Sequence, residues 1–247
     1  MNSDTAQKIL ALNRQFYQTF AEPFSTTRMR LQPGVRRILE TLPPSGNILD
    51  LGCGNGYLAG RLAQKYPDAT YIGLDNGPEL LELARRACTG LQNISFLLAD
   101  LTSPAWEAEL ATALQAHAGR PFDIILAFAV LHHIPGDSAR ASIMKKIRSL
   151  IQPEGQFIHS EWQFLNNPRL RARIQAWERI GLSEQDVDPA DYLLDWRQGG
   201  QGLRYVHHFS ENELAELANE SGFIIPETFY ADGEGGDLGL YQVWQPG

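Results

Sequence analysis

The chain has 247 residues, 43% hydrophobic and 20% charged, with a formal net charge of −8. That balance excludes a collagen-like or disordered chain, and two cysteines exclude a disulfide framework. No apolar run approaches the roughly 20 residues that span a bilayer, and the first residues lack a secretory signal, so a cytoplasmic protein with no membrane partner is expected.

The charge is uneven. Residues 1–37 hold six basic side chains against Asp4 and Glu22, whereas eight acids and no Lys or Arg follow Arg204. An anionic substrate is therefore expected on the N-terminal side.

In chain order, about 44 residues with an aromatic-rich helix precede the pair Pro43–Pro44, and residues 1–44 are read as a helical lid. Five buried-strand candidates follow: "NILDLG" (47–52), "ATYIGLD" (69–75), "ISFLLAD" (94–100), "FDIILAF" (122–128) and "GQFIHSE" (155–161). Helical patterns such as "PELLELARRA" and "SIMKKIRSLI" separate them, which implies a parallel sheet covered on both faces. An insertion at about 163–205 is expected to carry a helix through "PRLRARIQAWERIG". Ser210 and Glu213 stand at capping-box spacing before the last helix. "FIIPETFY" and "GLYQVW" then read as two strands, antiparallel because the loop 231–237 is too short for a crossover. The second domain is thus 45–247, insertion included.

"LDLGCGNGYLA" places Gly52, Gly54 and Gly56 where the first strand turns into a helix. Glycines there admit a ligand close to the backbone, and the helix N-terminus offers free N–H groups. Dinucleotide sites use GxGxxG, and here the third glycine comes one residue early. Asp75 ends the second strand, where a carboxylate takes both hydroxyls of a ribose, and Asp100 ends the third. Asp50, inside the first strand, either orients the turn or faces a cationic ligand group. An acid at one strand end is usually a helix cap; three in register with a glycine turn are not.

At these residues the chain resembles the class I S-adenosylmethionine-dependent methyltransferases. "ILDLGCGNG", "YIGLDNGPELLELAR", "FLLADL", "FDIILAFAVLHHI" and "LIQPEGQFI" fall in order over 47–161. The resemblance implies an α/β, doubly wound, mostly parallel seven-stranded sheet, Rossmann-like, with an antiparallel last strand. It implies S-adenosylmethionine as cofactor and S-adenosylhomocysteine as product. It places Gly52, Gly54 and Gly56 under the methionine moiety, Asp75 and Asn76 at the ribose, Asp100 and Leu101 near the adenine, and Phe128 in the pocket wall. Tyr17 either covers the cofactor or packs its helix.

The flanks resemble the methyltransferases that esterify 5-carboxymethyluridine at the tRNA wobble position. "FYQTFAEPFSTTR" (16–28), "VLHH" (130–133) and "RYVHHF" (204–209) carry that likeness. It implies catalytic positions at Arg28, His133 and His207, with His132, Arg204 and Tyr205 beside the acceptor. The acidic C-terminal region lacks the basic surface of a tRNA binder. A small-molecule acceptor, tRNA and a non-catalytic cofactor-binding scaffold all stay open. A carboxylate acceptor needs a cation to place it, whereas a hydroxyl or amine needs a base such as His132, His133 or His207. Adjacent histidines point in different directions, so no metal site is read. Trp162 beside the insertion either stacks on a ring substrate or packs a lid.

Overall fold

The computed structural model describes residues 1–27, 29–103, 105–108, 110–111 and 121–247. Arg28 lies outside them. A seven-stranded sheet runs in the order β3-β2-β1-β4-β5-β10-β9. Its members are β1 (Asn47–Leu51), β2 (Thr70–Asp75), β3 (Ile94–Leu98), β4 (Phe122–Phe128), β5 (Ile151–Trp162), β9 (Phe223–Ala231) and β10 (Gly239–Pro246). β1 to β5 pair in parallel, and β10 enters antiparallel between β5 and β9. The order reverses at β1 and β4, so a crevice opens at their C-terminal ends.

The strands are apolar on both faces because helices cover both. Leu49, Leu51, Leu74 and Ile125 are fully buried, each stabilising the fold by about 1.5–3 kcal/mol. α4 (Tyr57–Lys65) and α5 (Pro78–Ala87) follow β1 and β2, and α6 (Asp137–Leu150) precedes β5. Ser210 caps α8 (Glu211–Glu220) by accepting from the Glu213 amide at 3.1 Å, as the capping-box spacing predicts.

The insertion departs from expectation. Its helix is a single turn, α7 (Pro168–Arg171), and the rest folds largely as a second sheet, β6-β7-β8. These strands are β6 (Ile174–Gln175), β7 (Asp191–Trp196) and β8 (Gly202–His207), all antiparallel. Two edge-to-edge pairings and burial of Leu193, Leu194 and Tyr205 outweigh the helical propensity of the segment.

One face of this sheet packs on α1 (Ser3–Thr19), where Ile9 meets Trp177, Leu193 and Tyr205. α2 (Ala21–Thr27) and α3 (Pro33–Thr41) continue the N-terminal segment. Phe16 of α1 and Phe20 at its C-terminal end pack against Trp196. Among the described residues no helix is long and apolar enough to cross a membrane.

Candidate active site

A cavity of about 600 Å³ opens over the C-terminal ends of β1, β2 and β4. Gly52, Gly54 and Gly56 all hold positive φ, which L-residues with a Cβ rarely adopt. Their surroundings separate their roles. A Cβ at Gly52 would meet Val130 at 2.6 Å, and one at Gly56 would meet Ala84 at 2.8 Å. At Gly54 nothing lies within 4 Å, so the bare backbone borders open cavity. Gly56 is absent from the cavity wall; it lets α5 approach the turn. Its expected cofactor contact is corrected to packing.

Asp75 accepts from the amides of Gly54 and Gly77, both at 2.8 Å, so its carboxyl is fixed at the rim of the turn. Asp50 is 3% exposed and accepts from the Tyr71 hydroxyl. Burial, reinforced by the Asp75 charge and opposed by that hydrogen bond, lifts the Asp50 carboxyl to about 7. Asp100 accepts from Thr102 Oγ1 at 2.6 Å and from Arg14 Nη2 at 2.9 Å. Asn76, Leu101 and Phe128 also border the cavity.

A buried and a half-buried carboxylate, a bare glycine backbone and an aromatic wall fit a ligand with an ammonium group, a diol and a flat ring. The set fits S-adenosylmethionine: Asp50 would accept from the ammonium group and Asp75 from the diol, with Phe128 in the wall.

α1 and α2 roof this cavity through four ties. Arg14 reaches Asp100, Asn55 Nδ2 donates to Ser25 Oγ at 2.7 Å, and the Tyr17 hydroxyl lies 2.7 Å from His133 Nε2. Asn13 accepts from the Tyr205 amide at 2.8 Å and donates to the carbonyls of Tyr205 and His133. His133 Nδ1 lies 3.2 Å from the Tyr205 carbonyl, which can only accept. In its neutral form the ring carries its proton on Nδ1 and accepts from Tyr17 at Nε2.

His132, His133, Trp162 and Arg204 all border the cavity. Arg204 is 7% exposed, its guanidinium 4.7 Å from the Trp162 ring and 5.5 Å from that of Trp196. Tyr205 and His207 are not in the wall. Tyr205 is fully buried and donates to Asp191 at 2.7 Å. His207 Nδ1 and Nε2 donate to Asp191 and Glu213, each at 2.7 Å. Burial disfavours its charge, but the two carboxylates outweigh burial and raise its pKa. β8 turns both toward Asp191, so the catalytic position expected at His207 and the acceptor contact expected at Tyr205 lie outside the cavity lining and support the second sheet.

Several residues at the cavity have no counterpart in the sequence reading. Glu161 borders it at 1% exposure. Arg173 lies beyond α7 and borders the cavity with no ion-pair partner among the described residues. Ala129 holds φ 58 in the turn after β4, its amide donating to the Ser160 carbonyl at 3.0 Å. An acid inside "HSEW" and an Asn at helical spacing between Ile9 and Phe16 are the signals that point to Glu161 and Asn13.

A family model described as a methyltransferase domain matches residues 43–217. The tRNA (carboxymethyluridine(34)-5-O)-methyltransferase of Schizosaccharomyces pombe is 24% identical over 238 residues, 87% of this chain and 90% of that protein. Trans-aconitate 2-methyltransferase of Methylobacterium radiotolerans is 36% identical over 107 residues, 43% of this chain and 34% of its own length. A crystal structure of a SAM-dependent methyltransferase from Methanosarcina mazei superposes with TM-score 0.63 at 22% identity, covering 87% of this chain and 98% of that one. The last likeness shows the fold: the same doubly wound sheet. With the family model spanning most of the chain, the protein belongs to the methyltransferase-domain family and is an S-adenosylmethionine-dependent methyltransferase.

Proposed function

We propose that the methyl group goes to a carboxylate oxygen, giving a methyl ester. The observation that carries this is Arg204, a buried guanidinium between tryptophan rings in the wall of the cavity that also holds the glycine turn. Such a cation suits an acceptor that is anionic and planar, because guanidinium binds carboxylate through two parallel hydrogen bonds. When bound, S-adenosylmethionine supplies a methyl group already activated on a sulfonium.

Gly52, Gly54, Asp50, Asp75 and Asn76 hold that cofactor in this reading, with Asp100 and Leu101 at its adenine end. Tyr17 and His133 close the roof, and residues 1–44 act as the lid. The protein's work is alignment and exclusion of water. An ionised carboxylate needs no base. The acceptors in the two relatives' names, carboxymethyluridine and trans-aconitate, both bear carboxylates. The wobble nucleoside is supported by the relative matched along most of its length. A small carboxylic acid is supported by the net charge of −8, which repels a polyanion.

The test is turnover with methyl-labelled cofactor against total tRNA and a panel of carboxylic acids, scored for base-labile ester. Arg204→Gln is expected to lower kcat/KM by about a hundredfold, the cost of removing one partner of a desolvated charge pair. Label appearing only in base-stable ethers or amines would defeat the reading.

A further inference from the structure

Three titratable side chains meet beneath the acceptor end of the cavity. His132 follows β4, while His159 and Glu161 lie on β5 and share a face at i, i+2. All three are buried, at 2%, 0% and 1% exposure. Glu161 Oε2 lies 2.9 Å from His132 Nδ1, and Glu161 Oε1 lies 3.0 Å from His159 Nδ1.

Two backbone amides decide where the protons sit. The Trp162 amide donates to His132 Nδ1 at 3.3 Å, so that nitrogen presents a lone pair. The His132 amide donates to Glu161 Oε2 at 3.2 Å. An unprotonated Nδ1 beside a carboxyl oxygen requires the proton to be on the carboxyl. Glu161 is then a neutral acid that donates from Oε2 to His132 and accepts at Oε1 from the His159 Nδ1–H. His159 Nε2, buried with no hydrogen-bond partner among the described residues, lies between the rings of Phe157 and Trp244 and is then a bare lone pair. Burial pushes the Glu161 carboxyl well up and the His159 ring down to about 3, consistent with a neutral trio.

We infer that Glu161 and the Trp162 amide fix His132 as the Nε2–H tautomer, making it a hydrogen-bond donor to the methyl acceptor and not a base. The inference rests on the carboxylate reading for the identity of the acceptor, and Glu161 is a positioning residue within it. The Trp162 ring lies under Arg204 while its amide holds His132, so one residue registers both donors. Among the described residues, His133 faces the trio with its ring 4.4 Å from His132, and Arg140 and Glu213 act on Glu161 through their charges.

The experiment is nitrogen-15 NMR of histidine-labelled enzyme, the His132 signals assigned by their loss in His132→Gln. A protonated Nε2 and an unprotonated Nδ1 from pH 6 to 8 are expected. A proton on Nδ1, or an imidazolium in that range, would overturn the inference. In kinetics, Glu161→Gln is expected to cost less than tenfold in kcat, because an amide N–H still donates to Nδ1. An ionised carboxylate orienting a base costs about ten-thousandfold when amidated, and a loss of that size would also overturn it. Ester formation by the wild-type enzyme separates the two readings. An Nε2–H tautomer with methyl placed on an amine sinks the carboxylate acceptor alone, whereas an Nδ1–H tautomer with ester product sinks this inference alone.

Discussion

Replacing Asp50 by Asn is expected to stabilise the empty protein while weakening cofactor binding. The Asp50 carboxyl rises from 3.8 to about 7 on folding. Between those values the folded chain holds a proton that the unfolded chain has lost, so stability falls as pH rises through that window. The shift corresponds to a cost of about 4 kcal/mol for the ionised form above pH 7. The Asn side chain keeps an acceptor for the Tyr71 hydroxyl but brings its own amide hydrogens to satisfy, so about half should be recovered at pH 8. For a domain of this size that is a rise of roughly 4–8 °C in Tm at pH 8, with almost none at pH 5, where Asp50 is already neutral. Cofactor affinity should run the opposite way, since only the ionised carboxylate suits an ammonium group. The wild-type Kd should be flat above pH 7 and rise about tenfold per pH unit below it, as the competent fraction shrinks. The Asp50→Asn protein should bind weakly with no such slope. Thermal melts of empty protein and calorimetric titration with S-adenosylmethionine over pH 5–8 measure both. A variant less stable than wild type at pH 8, or a wild-type affinity independent of pH, refutes the reasoning.

Gly54→Ala places a methyl group in open cavity at φ 56, so calorimetry should show at least tenfold weaker cofactor binding for a stability loss of about 1 kcal/mol. Tyr17→Phe removes the hydroxyl that meets His133; stopped-flow release of S-adenosylhomocysteine should quicken severalfold while urea unfolding shifts by about 1 kcal/mol. His207→Gln breaks the pairs to Asp191 and Glu213 and should destabilise by about 3 kcal/mol. Because the pKa of His207 is raised, that loss should be full below about pH 6.5 and shrink as pH rises through its folded value, read by urea unfolding across pH 5–9.

Cofactor-side geometry was legible because it is local. A strand, a glycine turn and an acid at the next strand end lie within a few dozen residues, and the turn chemistry leaves each residue few choices. The parallel strands followed from alternating strand and helix patterns and the antiparallel last pair from the short loop 231–237, while the seven-stranded sheet was implied by the family resemblance. The acceptor side was less legible because long-range pairings decide it. "PRLRARIQAWERIG" has helical propensity along most of its length, and only its pairing with β7 makes Ile174 a strand. His207 reads as a catalytic histidine in the sequence, and only the fold shows its two nitrogens paired with Asp191 on the neighbouring strand and Glu213 on α8. The signal for Glu161 is weak because an acid in a strand reads as an edge or a solvent face; its two histidine neighbours supply what burial would otherwise deny it.

The tie made by Asn13 spans most of the chain, joining the first helix to Tyr205 across 192 positions. During synthesis the strands that carry Asp50, Asp75 and Asp100 emerge and pair early, among near neighbours in sequence. The roof has to wait until β8 has left the ribosome and closed a very long loop onto α1. Until then the nascent chain has a cofactor cleft with no cover, and Phe16 and Phe20 lack the Trp196 ring they pack against in the folded protein.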